Sequence, residues 1–178
     1  MKLPKMTNKV YLYVNFTEND AKFQSAREFS KALQLFWKWT GEEQEEILRD
    51  AKGKPYFPSG RFYLSVTHTG HLYVCAFGAR PIGIDAERAD ENRILIGEKK
   101  FSPEEKKLPF SYVWCGKEAV SKLTGDGMGG VMQVKVTFDR AEFQGKGYTL
   151  REMLLGEYRL ILATEEGWDY GAEALSEK

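Results

Sequence analysis

The segment PIGIDAER, residues 81–88, places two acids at the end of an apolar strand. Side chains alternate along a strand, so Asp85 and Glu87 point to one side, and Ile82, Ile84 and Ala86 to the other. Neighbouring carboxylates repel unless a positive group lies between them. The pair alone leaves two readings open: a solvated strand end, or half of a hard-cation site. The segment WCGKEAVSK, residues 114–122, supplies a third acid. On a helix, Trp114, Lys117, Glu118, Ser121 and Lys122 fall at steps of three and four and share a face. Val113, Val120 and Leu123 lie largely on another. A solvated stripe is the ordinary meaning of such a face. A tryptophan at its head is less typical of solvent. Gly116 inside it costs roughly 1 kcal/mol against alanine, which suggests close packing or simple tolerance. If Glu118 meets Asp85 and Glu87, three carboxylates converge. Magnesium takes a few carboxylate oxygens, several waters and the phosphates of its substrate. Lys122, one turn beyond Glu118, would then lie beside those phosphates.

Two further segments carry polar chemistry. TGDGMGG, residues 124–130, brings backbone N–H groups where a phosphate can approach. It follows a helix instead of opening one, so a glycine helix stop accounts for it nearly as well. GKPYFPSGRFYLSVTHTG, residues 53–70, contains Lys54, Thr67 and His68. His68 and His71 are the only histidines. Together with Cys75 they fit no common zinc spacing. For His68 the alternatives are a buried, hydrogen-bonded ring, or a phosphate contact shared with Lys54 and Thr67.

These residues need elements to hold them. Residues 10–16, VYLYVNF, read as a strand. From 19 to 39, Phe23, Ala26, Phe29, Leu33, Phe36 and Trp37 recur at helical spacing, and Gly41 follows as a stop. EEQEEILRDA, residues 42–51, reads as a second, polar helix. Strands at 62–67 and 72–78 join through a turn at Thr69 and Gly70. The second half repeats this order. It has a strand from Ile82 to Asp85, a helix start at Ser102-Pro103-Glu104-Glu105, a helix at 110–123, and strands at 132–138, 148–153 and 158–164. Residues 165–178 read as a turn and a loose end. The fold class is α+β: two related halves, each a long helix packed on a small, mainly antiparallel sheet, with a site between them. The expected boundaries are 1–80 for a short N-terminal half, 81–165 for a C-terminal half carrying the metal site, and 166–178 for the tail.

Composition narrows the function classes. The 178 residues are 42% hydrophobic and 29% charged, enough for one core or two small fused halves. With 26 basic and 26 acidic residues the formal charge is zero, which argues against a global nucleic-acid-binding field. Cys75 and Cys115 show no metal spacing and read as buried free thiols of a reducing compartment. No stretch has the length of a membrane span or a signal peptide. The expectation is a cytoplasmic monomer with no nucleic acid and no membrane partner.

Four segments coincide in order with one family. They are Gly53-Lys54-Pro55, Leu64 to Thr69, Ile82 to Glu87, and Trp114 to Ala119 with Lys122, joined by Phe101 to Glu105 and the glycines after Lys122. Across residues 53–130 the sequence resembles the 4′-phosphopantetheinyl transferases of the Sfp type. The resemblance implies pseudo-twofold halves with coenzyme A bound between them. It implies Asp85, Glu87 and Glu118 as ligands of magnesium, or of manganese in its place. It implies Lys54, Thr67 and His68 on the adenosine 3′-phosphate side, and Lys122 on the pyrophosphate. Thr67 stands where the family usually has serine and keeps the hydroxyl. The family's early basic residues are hard to place, with Lys22 the nearest candidate.

The activity so implied moves 4′-phosphopantetheine from coenzyme A to a serine of an apo acyl or peptidyl carrier protein, releasing adenosine 3′,5′-bisphosphate. Glu118, or a metal-bound water oriented by it, is the candidate base, and Lys122 the charge neutraliser. The competing readings are a magnesium-dependent enzyme acting on coenzyme A without a carrier, and a binding module without turnover. Residues 94–110, ILIGEKKFSPEEKKLPF, are the candidate carrier-docking segment. They mix Ile94, Leu95, Ile96, Leu108 and Phe110 with Lys99, Lys100, Lys106 and Lys107. The plain alternative makes Leu108 and Phe110 core and balances the lysines against Glu98, Glu104 and Glu105.

Overall fold

A computed structural model describes residues 8–89 and 99–177. It has the expected class: helices set against mainly antiparallel sheets. By contact density the chain divides into two compact units, Met1–Ile82 with Trp168–Lys178, and Gly83–Gly167.

The first unit is built on a four-stranded sheet ordered β11-β1-β5-β4. Strand β1 is Lys9–Phe16, β4 is Tyr63–Thr69, β5 is Leu72–Gly78 and β11 is Gly171–Ala174. Helix α1, Ser25–Thr40, buries Glu28, Ala32, Phe36 and Trp37, the spacing of a single apolar stripe. It stops at Gly41, whose φ of 64° is left-handed and whose N–H donates to the Trp37 carbonyl at 3.0 Å. The core beneath it is aromatic: Phe36 stacks on Phe77 at 4.4 Å, with Phe57 and Phe62 around them. The β4–β5 hairpin pairs Thr67 with Val74 and His68 with Tyr73.

The second unit holds a five-stranded sheet ordered β6-β10-β9-β8-β7. Its strands are β6 Ile82–Arg88, β7 Lys135–Thr137, β8 Arg140–Phe143, β9 Lys146–Leu155 and β10 Tyr158–Glu165. Helix α2, Phe110–Thr124, packs Val113, Cys115, Ala119 and Val120 into a core with Val136, Leu150 and Ile161. A four-residue helix α3, Met128–Val131, follows.

Four expectations change. Residues 42–51 do not form a helix. Glu45 instead accepts from the Ser59 hydroxyl at 2.7 Å and pairs with Arg61, and Asp50 takes the N–H groups of Lys52 and Lys54. Those tertiary uses of the acids leave only a short pair of strands, β2 Leu48–Arg49 and β3 Pro55–Tyr56. The helix start at Ser102 yields one 3-10 turn, Glu105–Lys107, closed by a reciprocal Ser102–Glu105 capping box. Strand β8, in a stretch to which the sequence assigned no element, pairs with both β7 and β9. The loose end is strand β11, parallel to β1 from Lys9↔Gly171 to Leu12↔Ala174, and tied by a Lys9–Glu173 ion pair at 2.6 Å. A run of Gly, Ala and Glu has little intrinsic strand preference, so this pairing is set by its distant partner. No helix among the described residues is long and apolar enough to cross a membrane.

Candidate functional site

Gly83 is the element that makes the acidic cluster. A Cβ at this position would lie 1.9 Å from the Ala119 carbonyl oxygen and 2.8 Å from the Leu123 amide. Only glycine lets β6 backbone rest directly on α2. Two residues on, Asp85 therefore reaches the same helix. The Lys122 ammonium stands 2.8 Å from Asp85 Oδ1. Asp85 is 8% exposed, while Glu87, Glu118 and Lys122 are half-buried. Gly116, on the same helix, is also closely packed. A Cβ there would meet Leu150 at 3.1 Å and Val136 at 3.2 Å, so α2 lies close on its sheet.

The electrostatics tie the three acids together. Burial first, then Asp85, holds the Glu118 carboxyl above its ordinary range, and Glu87 adds to the effect while Lys122 opposes it. Cys115 sits behind the cluster, fully buried. Burial, then Asp85 and Glu87, pushes its thiol well up, so it stays protonated and is no nucleophile. Both cysteines are buried and free.

The donor set of Asp85, Glu87 and Glu118 is carboxylate oxygen alone, the chemistry of a hard divalent cation. Among the described residues, no group of three His, Cys, Asp or Glu side chains is gathered tightly enough to hold a metal ion. Lys122 is the cation in contact with the cluster as it stands.

The helix face itself divides. Lys117 is 2% exposed and forms a buried pair with Glu105 at 2.7 Å, while also donating to the Val134 carbonyl. It is a structural charge, not part of a solvated stripe. Glu105 also accepts N–H bonds from Val136 at 2.9 Å and Ser102 at 3.0 Å. Burial alone would raise its carboxyl; Lys117 and the two amides outweigh this and hold it below the usual value. The Ser-x-x-Glu pattern at 102–105 was the available signal, read only as a helix start. The glycine segment after Lys122 is a stop: Gly125 has φ 80° and its N–H donates to the Ser121 carbonyl at 2.9 Å.

In the first unit, Thr67 is 4% exposed and His68 is exposed, as is His71. Successive strand residues face opposite ways, so Thr67 and His68 lie on opposite faces of β4. Lys54 is half-buried in the β2–β3 turn, its N–H on Asp50 Oδ1 at 2.9 Å. Pro55, the next residue, and His68 line one cavity. Lys22 is exposed in a 3-10 turn, over the Phe23 ring at 4.7 Å.

Of the segment 94–110, residues 94–98 lie outside the described residues. Leu108 and Phe110 pack against the second core, and Phe110 stacks between Phe101 and Trp114. Lys99, Lys100 and Lys106 are exposed, and Lys107 pairs with Glu104 at 2.8 Å.

No family model matches the chain. Curated proteins do. A 4′-phosphopantetheinyl transferase of Bacillus subtilis is 35% identical over 88 residues, covering 43% of this chain and 39% of that protein. The transferase Sfp of Bacillus subtilis strain 168 is 30% identical over 88 residues, with the same coverage of 43% and 39%. The transferase psf-1 of Bacillus pumilus is 32% identical over 100 residues, 48% of this chain and 42% of the relative. The chain is thus similar to 4′-phosphopantetheinyl transferases, and the matches span 39% to 42% of these relatives' own length.

Proposed function

We propose that the protein transfers 4′-phosphopantetheine from coenzyme A to a serine hydroxyl of an apo carrier protein. The observation that carries this reading is the electrostatic coupling of Glu118 to Asp85, Glu87 and Lys122, beside the Lys122–Asp85 ion pair. Similarity to named transferases supports it.

The carrier serine oxygen attacks the β-phosphorus of coenzyme A. A new O–P bond forms, the bond to the bridging oxygen breaks, and its electron pair leaves with adenosine 3′,5′-bisphosphate. Glu118 accepts the serine proton on a carboxylate oxygen, and its raised affinity for protons makes it a stronger base than an exposed acid. Lys122 pairs with charge that builds on the departing phosphate, moving from Asp85 as the substrate arrives. Asp85, Glu87 and Glu118 would hold magnesium, which supplies neutralisation of the pyrophosphate when bound. Lys54 and His68 serve the 3′-phosphate of coenzyme A, and Thr67 offers its hydroxyl from the other face of β4. Residues 94–110 serve the carrier. Positioning and charge do most of the work in this chemistry.

The test is incubation with coenzyme A, magnesium and an apo carrier, followed by mass spectrometry of the carrier. A gain of one phosphopantetheine is expected. A carrier left unchanged while coenzyme A is consumed would identify an enzyme acting on coenzyme A alone.

A further inference from the structure

Strand β1 pairs with β5 from Val10 to Phe16, but β11 covers only part of its other edge. The β11 pairing runs from Lys9↔Gly171 to Leu12↔Ala174 and ends there. The chain then turns to α1: Leu175 is buried in the first core, and Trp39 Nε1 donates to the Ser176 carbonyl at 2.9 Å. Hydrogen-bond parity fixes which groups this leaves at the edge. The Asn8 carbonyl accepts from the Gly171 N–H at 3.0 Å and the Leu12 carbonyl from the Leu175 N–H at 2.8 Å. Even-numbered residues of β1 therefore aim their main chain at β11. Thr17, one residue past the β5 pairing, donates its N–H to the His71 carbonyl at 2.8 Å, so odd-numbered residues serve β5. Val14 is the next even residue after Leu12. Its N–H and C=O face the lane beyond the end of β11, where no described strand pairs with them.

That lane opens on a cavity of about 610 Å³, lined by Val14 and by Lys31, Gln34, Leu35 and Lys38 of α1. The four helical residues fall at steps of three and four and form one face. Leu35 is half-buried at its middle, and Lys31 and Lys38 stand about 10 Å apart along the helix axis. Extended chain covers that span in roughly three residues. Lys31 reaches Glu28 only at 3.9 Å. Glu28 is buried, accepts from the Tyr13 hydroxyl at 2.6 Å and from Asn15 at 2.9 Å, and lies outside the lining. Glu177 is the acid of the lining, and it is exposed. Two lysines against one carboxylate leave this wall positive.

We infer that the lane takes an extended, acidic peptide segment of a partner protein, added as a strand beside Val14 with its carboxylates against Lys31 and Lys38. An open strand edge is a template for another chain. Main-chain pairing supplies affinity in such additions, and the side chains beside it supply selection. Alternate residues of a strand share a side, so acids at every second position face one wall together. A symmetric second copy would bring Lys31 and Lys38 against their own counterparts, and the charge disfavours it. The inference stands apart from the transfer reaction proposed above and uses none of its residues.

The full chain is titrated with a fluorescein-labelled peptide of alternating valine and glutamate, followed by anisotropy. Two controls accompany it: the same peptide N-methylated at alternate residues, and a peptide of alternating valine and lysine. The glutamate peptide should bind, and both controls should bind about tenfold or more weakly, the worth of two main-chain hydrogen bonds in the first case. Lys31→Gln combined with Lys38→Gln should lose about fivefold with an unchanged melting temperature, and the loss should shrink as salt rises. Lys38→Gln alone, which leaves the neighbour of Glu28 in place, should lose part of this. Hydrogen exchange gives a readout that charge attraction alone would not move. The peptide should slow exchange at the Val14 amide and leave Tyr13 and Asn15, already paired with β5, as they were. An N-methylated peptide that binds as well as its parent, or a Val14 amide that the peptide does not protect, would overturn the inference. So would absence of binding at millimolar peptide. A chain that dimerises on its own and protects Val14 in doing so would give the lane to a second copy and overturn it as well.

Discussion

Glu118 is held where its charge is unwelcome. Burial and two neighbouring acids raise its affinity for a proton, and Lys122 offsets only part of that. The folded chain therefore binds this proton more tightly than the unfolded one. Its contribution to stability is complete below the ordinary carboxyl value of 4.5 and is lost as pH rises through the raised value. Glu118→Gln removes that loss without changing shape. Thermal melts in the absence of divalent ions should coincide at acid pH and separate as pH rises, with Glu118→Gln the more stable protein at neutral pH. A variant that melts at or below wild type there would show that the carboxyl is not strained by its surroundings. The same variant should transfer roughly 10²–10⁴-fold more slowly, the usual contribution of a positioned base. More stable and less active is the signature expected of a charge kept for chemistry.

At the scale of elements, the site depends on one strand touching one helix. In Gly83→Ala the new methyl group would fall inside contact distance of the Ala119 carbonyl, against backbone that has no rotamer to yield. The expected loss is about 3 kcal/mol, the upper end for overpacking, or roughly 6–12 °C in melting temperature for a chain this size. Melting within two or three degrees of wild type would mean that β6 and α2 are not in such contact. The acid pair and the three- and four-residue spacing of α2 were legible because both follow from local periodicity. The Gly83 contact was not, because a glycine in a strand looks the same whether or not a helix lies over it. The Glu105–Lys117 pair was missed for a related reason: Lys117 shares a helical face with Lys122, and only the sheet decides which lysine is covered. Strand β11 was hidden because its partner is more than a hundred residues away. Removing the ammonium in Lys117→Met leaves Glu105 buried with its charge unbalanced, at a cost of about 3–5 kcal/mol at neutral pH. That cost should shrink as pH falls, since protonation of Glu105 cancels the unpaired charge. Urea midpoints at neutral and acid pH measure it, and a loss independent of pH would remove Glu105 as its cause.

Over the whole molecule the formal charge is zero, so no general field draws in a charged protein. Any steering must come from a local patch. Lys99, Lys100 and Lys106 are exposed on the described part of the segment that joins β6 to α2 and are the candidates for one, while Lys107 is engaged by Glu104 at 2.8 Å. Leu108 and Phe110 pack with the second core and are not offered to a partner. Carrier recognition, as proposed, then rests on the lysines here for encounter, with Ile94, Leu95 and Ile96 as the apolar candidates outside the described residues. Charges at the rim of an interface act chiefly on association rate and its salt dependence. Reversing Lys99 and Lys100 to Glu changes the local charge without touching the core or the acidic cluster. The KM for an acidic carrier should rise about tenfold at low salt, within the range of steering effects, and the gap should narrow as salt screens the patch. The KM for coenzyme A should stay within twofold or so of wild type, because neither lysine belongs to the residues proposed to hold it. Parallel losses for both substrates would point to a damaged fold. Unchanged kinetics for the carrier at low salt would move the docking surface elsewhere.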